Sequence, residues 1–299
     1  MKNKGVVFKN LDSFIIVTTF LFLWFAINFG DTTEDMVAYF LILTFGILHG
    51  ANDLKLIQTS NSKAKKKYNF IKVASYYILF ILFCASLFYY LPSLALFTFV
   101  LFSGYHFGEQ HWNSKLKSQS RTTILFYSSY GLFVLSLLFV SQVTVVNSVI
   151  ENITGYAVPI RFYTYLLFLS GGLFIALYIL LTKNNKLISS WVKEIFYLVL
   201  FLVVFKTASL LWSFAIYFIL WHSLPSLVDQ IRFLYGDVTK KSIILYLKTS
   251  FVYWAISVTG LALLYLFIGK DSDTFEPIFF SFLAAITFPH VLVMIRLYK

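Results

Sequence analysis

Long uninterrupted apolar runs constrain this sequence more than any other feature. Several of them approach or exceed the roughly 18 to 20 residues that a helix needs to cross the hydrocarbon core of a bilayer. Hydrophobic residues make up 59% of the chain and charged residues only 12%, a balance that argues against a soluble globular protein. Membrane β-strands would give weak alternating segments instead, so the runs predict a bundle of transmembrane helices.

Ten apolar segments divide the sequence. They cover residues 13–30, 35–57, 71–90, 92–111, 122–148, 162–182, 192–206, 208–233, 243–268 and 278–297. The break near Lys206 is the weakest boundary, so nine spans are the alternative count. We predict an all-α, polytopic integral membrane helical bundle that forms a single transmembrane domain over residues 1–299.

Loop charge gives the orientation, because cytoplasmic loops are rich in Lys and Arg. With ten spans, all the basic segments fall on one side of the membrane: the N-terminus, 63–72, 115–121, 183–193, 232–248 and 296–299. The acidic connections at 31–35 and 271–276 fall on the other side. We therefore expect a multi-pass protein of the cell (plasma or inner) membrane with both termini cytoplasmic, and a net charge of +11 that reflects topology rather than nucleic-acid binding.

Four of the five histidines share one predicted depth. His49, His106, His222 and His290 each lie about 12 to 14 residues into a span that runs inward, or roughly 20 Å into the membrane. A lone histidine in an apolar helix is usually a packing residue. Four at one level indicate a shared metal site, since ionisable residues are costly at this depth and imidazole is a common metal ligand.

Glycines four residues apart flank two of these histidines. The pairs are Gly46 with Gly50 around His49, and Gly104 with Gly108 around His106. Such pairs let helix backbones approach closely, which is ordinary membrane packing. Close approach is also what imidazoles from separate helices need in order to reach one ion.

Acidic residues follow the first two histidines at helical spacing. Asp53 is four residues after His49 and Glu109 three after His106, so each is predicted to accept the second ring N–H of its histidine from behind the metal. For Glu109, a solvated position is the alternative. His111 points about 140° away from His106 on a continuous helix, which favours a position at the cytoplasmic rim and leaves it as an alternative ligand.

Prolines interrupt the other two helices. Pro225 lies three residues after His222, and Pro289 directly precedes His290. Each proline frees a backbone carbonyl that neighbours, water or a cavity must satisfy. Asp229 shares a helix face with His222 and is predicted to satisfy such a group or to line an access path.

Nitrogen ligands backed by carboxylates suit zinc, iron or copper, and spacing alone does not choose among these metals. Four short motifs narrow the choice: GILHGAND at 46–53, HFG at 106–108, WHS at 221–223 and PH at 289–290. In this order they resemble the motifs of the Brp/Blh family of bacterial β-carotene dioxygenases. The resemblance spans about residues 49 to 290, and its specificity lies in the order of the motifs along the membrane helices.

The resemblance implies a non-haem iron enzyme with Fe²⁺ as cofactor. Its substrates would be β-carotene, drawn from the lipid bilayer, and O₂, and cleavage at the central 15,15′ double bond would give two molecules of all-trans-retinal for a retinal-binding rhodopsin. By position it implies that His49, His106 and His222 are ligands. No catalytic side chain is expected beyond the metal site.

Two positions depart from the family pattern. The family usually has a further histidine where this chain has Ser226, and an acid where it has His111. We expect His290 to complete the ligand set and Ser226 to lie behind it. A three-histidine site is the alternative.

The sequence leaves three other functions open. A haem-binding membrane protein also places histidines in helices, and a transporter also uses intramembrane charge. A relative that is non-catalytic, or that acts on a different carotenoid, is the third, and Ser226 is the residue that raises it.

Overall fold

The computed structural model describes residues 11–117, 120–268 and 272–298, and within these ranges the chain is helical without a β-strand. The α-helices are α1 Leu11–Asn28, α2 Asp31–Leu41, α3 Asp53–Lys63, α4 Phe70–Tyr90, α5 Pro92–Trp112, α6 Arg121–Ser141, α7 Val143–Thr154, α8 Ile160–Lys183, α9 Trp191–Thr207, α10 Leu210–Ala215, α11 Leu224–Tyr235, α12 Lys240–Ile268 and α13 Ser272–Tyr298. Two π-helical segments, Ile42–Gly46 and Ile216–Ser223, lie between them.

Seven helical stretches of the described residues are long and apolar enough to cross a membrane. They are Leu11–Asn28, Phe70–Tyr90, Arg121–Ser141, Ile160–Lys183, Leu210–Tyr235, Lys240–Phe267 and Pro277–Leu297. Each overlaps one predicted span, and the prediction of an all-α membrane bundle is confirmed. The count of ten remains a prediction.

The predicted span at 35–57 is wrong as a continuous helix. After α2 the chain forms the π-helical segment Ile42–Gly46 and then a turn at residues 49–52. A new helix, α3, begins at Asp53. Glycine has a low helix propensity, and this break contains Gly50. The break near Lys206 is confirmed: α9 ends at Thr207, and α10 begins at Leu210.

The helices group into two compact units. The first contains the residues up to Leu21, Tyr39–Leu91 and the residues from Phe218 onward. The second contains Phe22–Ala38 and Pro92–Tyr217. A single domain over residues 1–299 stays a prediction.

The second unit is built around the close approach of α5 and α6. A Cβ at Gly108 would overlap the backbone carbonyl of Tyr127, and a Cβ at Gly131 would overlap the carbonyl of Gly104. The two backbones therefore touch where the sequence predicted close packing around Gly104 and Gly108. Gly131 on α6 supplies the matching surface.

We expect Gly108→Ala to lower the free energy of unfolding by about 1 to 3 kcal/mol, because the added methyl group has only backbone to displace. Gly172→Ala is the matched control, since a Cβ there meets nothing within 4 Å. Thermal unfolding of the two variants in detergent measures the difference. Equal midpoints would contradict the close contact of α5 with α6.

Candidate functional site

Three of the predicted histidines gather within the first unit. The ring centroid of His49 lies 4.7 Å from that of His290 and 5.4 Å from that of His222, with the ring planes nearly perpendicular in both pairs. All three side chains are buried. One apolar region thus holds three imidazoles from three separate segments of the chain.

Two of these histidines owe their positions to irregular helix. His222 lies inside the π-helical segment Ile216–Ser223, and His49 lies in the turn that follows the π-helical segment Ile42–Gly46. Each π turn carries an extra residue and redirects the side chains after it, and such turns are frequent at functional sites. The sequence does not reveal them, because glycine and aromatic residues are common in ordinary membrane helices as well.

The glycines around His49 lie beside rings rather than against another helix backbone. A Cβ at Gly46 would come within 2.8 Å of the Phe218 ring, and one at Gly50 would lie 3.7 Å from Nδ1 of His290. The Phe218 ring in turn stacks against the ring of His222, with centroids 5.7 Å apart. Gly46 therefore leaves room for the Phe218 ring beside His222, whereas the distance at Gly50 is an ordinary van der Waals contact.

Hydrogen bonds fix the tautomer of two rings. Nδ1 of His49 contacts the carbonyl oxygen of Gly46, and Nδ1 of His290 lies 2.8 Å from Oδ1 of Asp53. A carbonyl and a carboxylate accept hydrogen bonds, so Nδ1 carries a proton in both rings. The lone pair that a metal would use is then on Nε2.

Asp53 contacts a different histidine from the one expected. Its carboxylate bonds His290 rather than His49, because the chain turns at 49–52 and Asp53 becomes the first residue of α3. The other carboxylate oxygen, Oδ2, accepts a hydrogen bond of 2.7 Å from the hydroxyl of Tyr77. Tyr77 was not predicted, since it lies on α4 at no regular spacing from either partner.

An apolar cavity of about 350 Å³ adjoins these groups within the first unit. His49 and His290 line it, together with apolar side chains of α4, α12 and α13 that include Ile78, Ile81, Ile256, Leu283 and Ile286. The hydroxyls of Ser257 and Thr287 also reach its wall, but each donates to a carbonyl of its own helix. The cavity thus combines a hydrocarbon-like wall with imidazole nitrogen donors.

Ser226 belongs to a buried polar network in the same unit. Its hydroxyl accepts a hydrogen bond from the Gln230 amide at 3.2 Å, and the Gln230 carbonyl oxygen accepts one from Tyr246 at 2.7 Å. The Tyr246 hydroxyl also lies 3.3 Å from the backbone oxygen of His49. Asp229 is part-exposed and faces Arg232, with 3.7 Å between the charged atoms.

The remaining predicted residues lie in the second unit. His106 is fully buried on α5, and Glu109 accepts a hydrogen bond of 2.6 Å from Tyr105. The position of His111 at the cytoplasmic rim stays a prediction, and its side chain is only 11% exposed. It lies in a cluster with Glu194.

Glu194 links α9 to the end of α5. Its two carboxylate oxygens lie 2.7 Å from Nε2 of His111 and 2.8 Å from Nζ of Lys115. The His111 ring also stacks on Tyr130. Nε2 of His111 is therefore engaged by an ion pair, which assigns this histidine a structural contact that its spacing from His106 did not indicate.

Residues 40–298 match the profile of the family described as beta-carotene 15,15'-dioxygenase. The chain belongs to this family. The resemblance carried by the four histidine motifs is thereby confirmed, and with it the enzyme class. Comparison with curated proteins and with solved structures gives no match.

Membership of this family gives the protein's reaction, dioxygenation, and its substrate, β-carotene. It does not give the cofactor. Over the described ranges, no group of three or more His, Cys, Asp or Glu side chains meets in a geometry that could hold a metal ion as it stands. The residues that would bind a metal are therefore proposed below.

We expect Glu194→Gln to destabilise this dioxygenase by roughly 1.5 to 3 kcal/mol, because it removes a charged acceptor that is 95% buried and bonds three donors, His111, Lys115 and Ser189. Asp229→Asn is the control. Its pair with Arg232 is long and part-exposed, so its loss should cost less than about 1 kcal/mol. Thermal unfolding in detergent compares the two, and an equal effect would contradict a structural role for the His111 cluster.

Proposed function

We propose that this dioxygenase is a membrane-embedded non-haem iron enzyme that cleaves β-carotene with O₂ at the central 15,15′ double bond to give two molecules of all-trans-retinal. The observation that carries the proposal is the group of three buried imidazoles, His49, His222 and His290, beside an apolar cavity in the first unit. The reaction balances without a reductant, because the two oxygen atoms of O₂ end in the two aldehyde groups.

The donor set suits a divalent transition metal. Metal–nitrogen distances of about 2.0 to 2.1 Å put the ring centroids of two imidazoles on one ion roughly 4.5 to 5.5 Å apart. The separations of 4.7 and 5.4 Å fall in this range. Imidazole is a suitable ligand for iron, and a histidine backed by a carboxylate, like His290 with Asp53, is the usual support for a metal ligand.

His290 takes the place of the histidine that this chain lacks at position 226. Ser226 is engaged with Gln230 in the polar network and supports the backbone beside His49 through Tyr246. His106 remains a ligand predicted from its motif, and a three-histidine site is the alternative to a set of four.

The protein's own groups bind and orient the substrate. When bound, iron supplies the position at which O₂ is activated for addition to the double bond. The apolar walls hold the polyene and exclude water from its reacting centre. Because the wall hydroxyls of Ser257 and Thr287 donate to their own helices, the substrate meets mainly hydrocarbon. Orientation of the central double bond beside the imidazoles is then the main contribution of the cavity.

The chemistry of the substrate also bears on where the enzyme works and how the substrate reaches it. β-Carotene is a hydrocarbon that dissolves in the bilayer core, so we propose that it enters laterally from the lipid. The enzyme would lie in the cell membrane with both termini in the cytoplasm, as the loop charges predict. A retinal-binding rhodopsin is the proposed recipient of the product.

Expression in a bacterium that makes β-carotene is the direct test. With iron supplied, we expect bleaching of the cells and retinal in their extracts, measured by chromatography against authentic all-trans-retinal. Retinal should be the only cleavage product if attack is central. Full-length protein in the membrane without retinal would contradict the proposal, and bound iron in that protein would indicate a non-catalytic relative.

Alanine variants test the ligand set. Purified His49→Ala, His222→Ala and His290→Ala proteins should lose bound iron and retinal formation together, because each change removes a nitrogen donor. Ser226→Ala should keep both, with about 1 to 3 kcal/mol of stability lost because the buried Gln230 amide loses this acceptor. Metal analysis of each protein gives the result, and iron retained at the level of the unaltered enzyme in His290→Ala would remove that residue from the set. His106→Ala decides between three and four histidines.

A further inference from the structure

A chain of two hydrogen bonds joins three helices of the first unit behind the histidine cluster. The Tyr77 hydroxyl on α4 donates to Oδ2 of Asp53, and Oδ1 of Asp53 accepts from Nδ1 of His290 on α13. The distances are 2.7 and 2.8 Å. The carboxylate thus receives one donor on each of its two oxygens.

Asp53 needs both donors to keep one orientation. Its carboxylate is only 2% exposed, so its oxygens depend on protein donors in place of water. As the first residue of α3, it is also close in sequence to the unsatisfied N–H groups of the first helical turn, which attract a carboxylate. A bond from Tyr77 to Oδ2 opposes rotation toward those groups and keeps Oδ1 directed at His290.

The Tyr77 ring is held in place independently of its hydroxyl. It packs against the cluster of Leu56, Val293 and Met294, and it forms part of the cavity wall. Replacing it by phenylalanine therefore preserves the packing and removes only the hydrogen bond.

We propose that Tyr77 is a positioning residue that orients His290 toward the metal through Asp53. This inference rests on the proposed function, and it adds a residue that no sequence motif indicated. Loss of an outer hydrogen-bond partner of a metal-bound histidine typically costs 10- to 100-fold in metal affinity or activity. As the outermost of the two partners, Tyr77 should act at the lower end of that range.

Tyr77→Phe in the purified full-length enzyme tests the proposal. We expect about a tenfold weaker affinity for Fe²⁺ and for Co²⁺, measured by competition with a chelator, and an altered visible absorption spectrum of the Co²⁺ protein. Tyr76→Phe is the matched control: it makes the same change at the adjacent position, whose side chain is 62% exposed. The control should bind both metals with the affinity and the spectrum of the unaltered enzyme.

A double-mutant cycle separates positioning from a general structural effect. If Tyr77 acts through Asp53, then Tyr77→Phe should add little to the loss of metal affinity already caused by Asp53→Asn. Additive losses would overturn the proposal, since they would mean that the two residues act independently.

The outcomes distinguish this inference from the function on which it rests. An unaltered enzyme that binds no metal and makes no retinal would overturn both. An unaltered enzyme that does both, with a Tyr77→Phe variant of equal metal affinity and equal Co²⁺ spectrum, would overturn the role of Tyr77 alone.

Discussion

The hydrogen bond between His290 and Asp53 is the interaction on which the histidine cluster depends. It joins α13 to the start of α3 where both side chains are almost completely buried. An apolar interior cannot solvate a carboxylate or an imidazole, so each group needs the other as a partner. The bond fixes the tautomer of His290, and through Tyr77 it extends to α4.

The histidine cluster also depends on irregular helical segments. A regular helix over residues 35–57 would have placed Asp53 below His49 on one face. The π-helical segment and the turn at 49–52 instead release Asp53 to meet His290 and direct His49 toward His222 and His290. Backbone irregularity of this kind is tolerated at membrane depth where it is buried in protein or lines a cavity, and here both apply.

The chemistry of the cavity agrees with the family of the chain. A symmetric hydrocarbon offers no polar group for recognition, so its position has to come from the shape of an apolar wall. That wall is supplied by α4, α12 and α13, and its hydroxyls are turned toward their own helix carbonyls. The other polar side chains that line the cavity are His49, His290, Asp53, Tyr77 and Tyr253, and the two histidines among them are the ones proposed to hold the metal.

The sequence by itself determined the all-α membrane architecture, the enzyme family and which histidines its motifs contain, because long apolar runs and short motifs are properties of single segments. Asp53 was found from its spacing, but its partner was not, since helical spacing holds only while the helix is continuous. Nothing in the sequence distinguished Tyr77 from the many other tyrosines, or Glu194 from the other charged residues near the loops. Their roles follow from contacts between residues far apart in the chain, which only the tertiary structure decides.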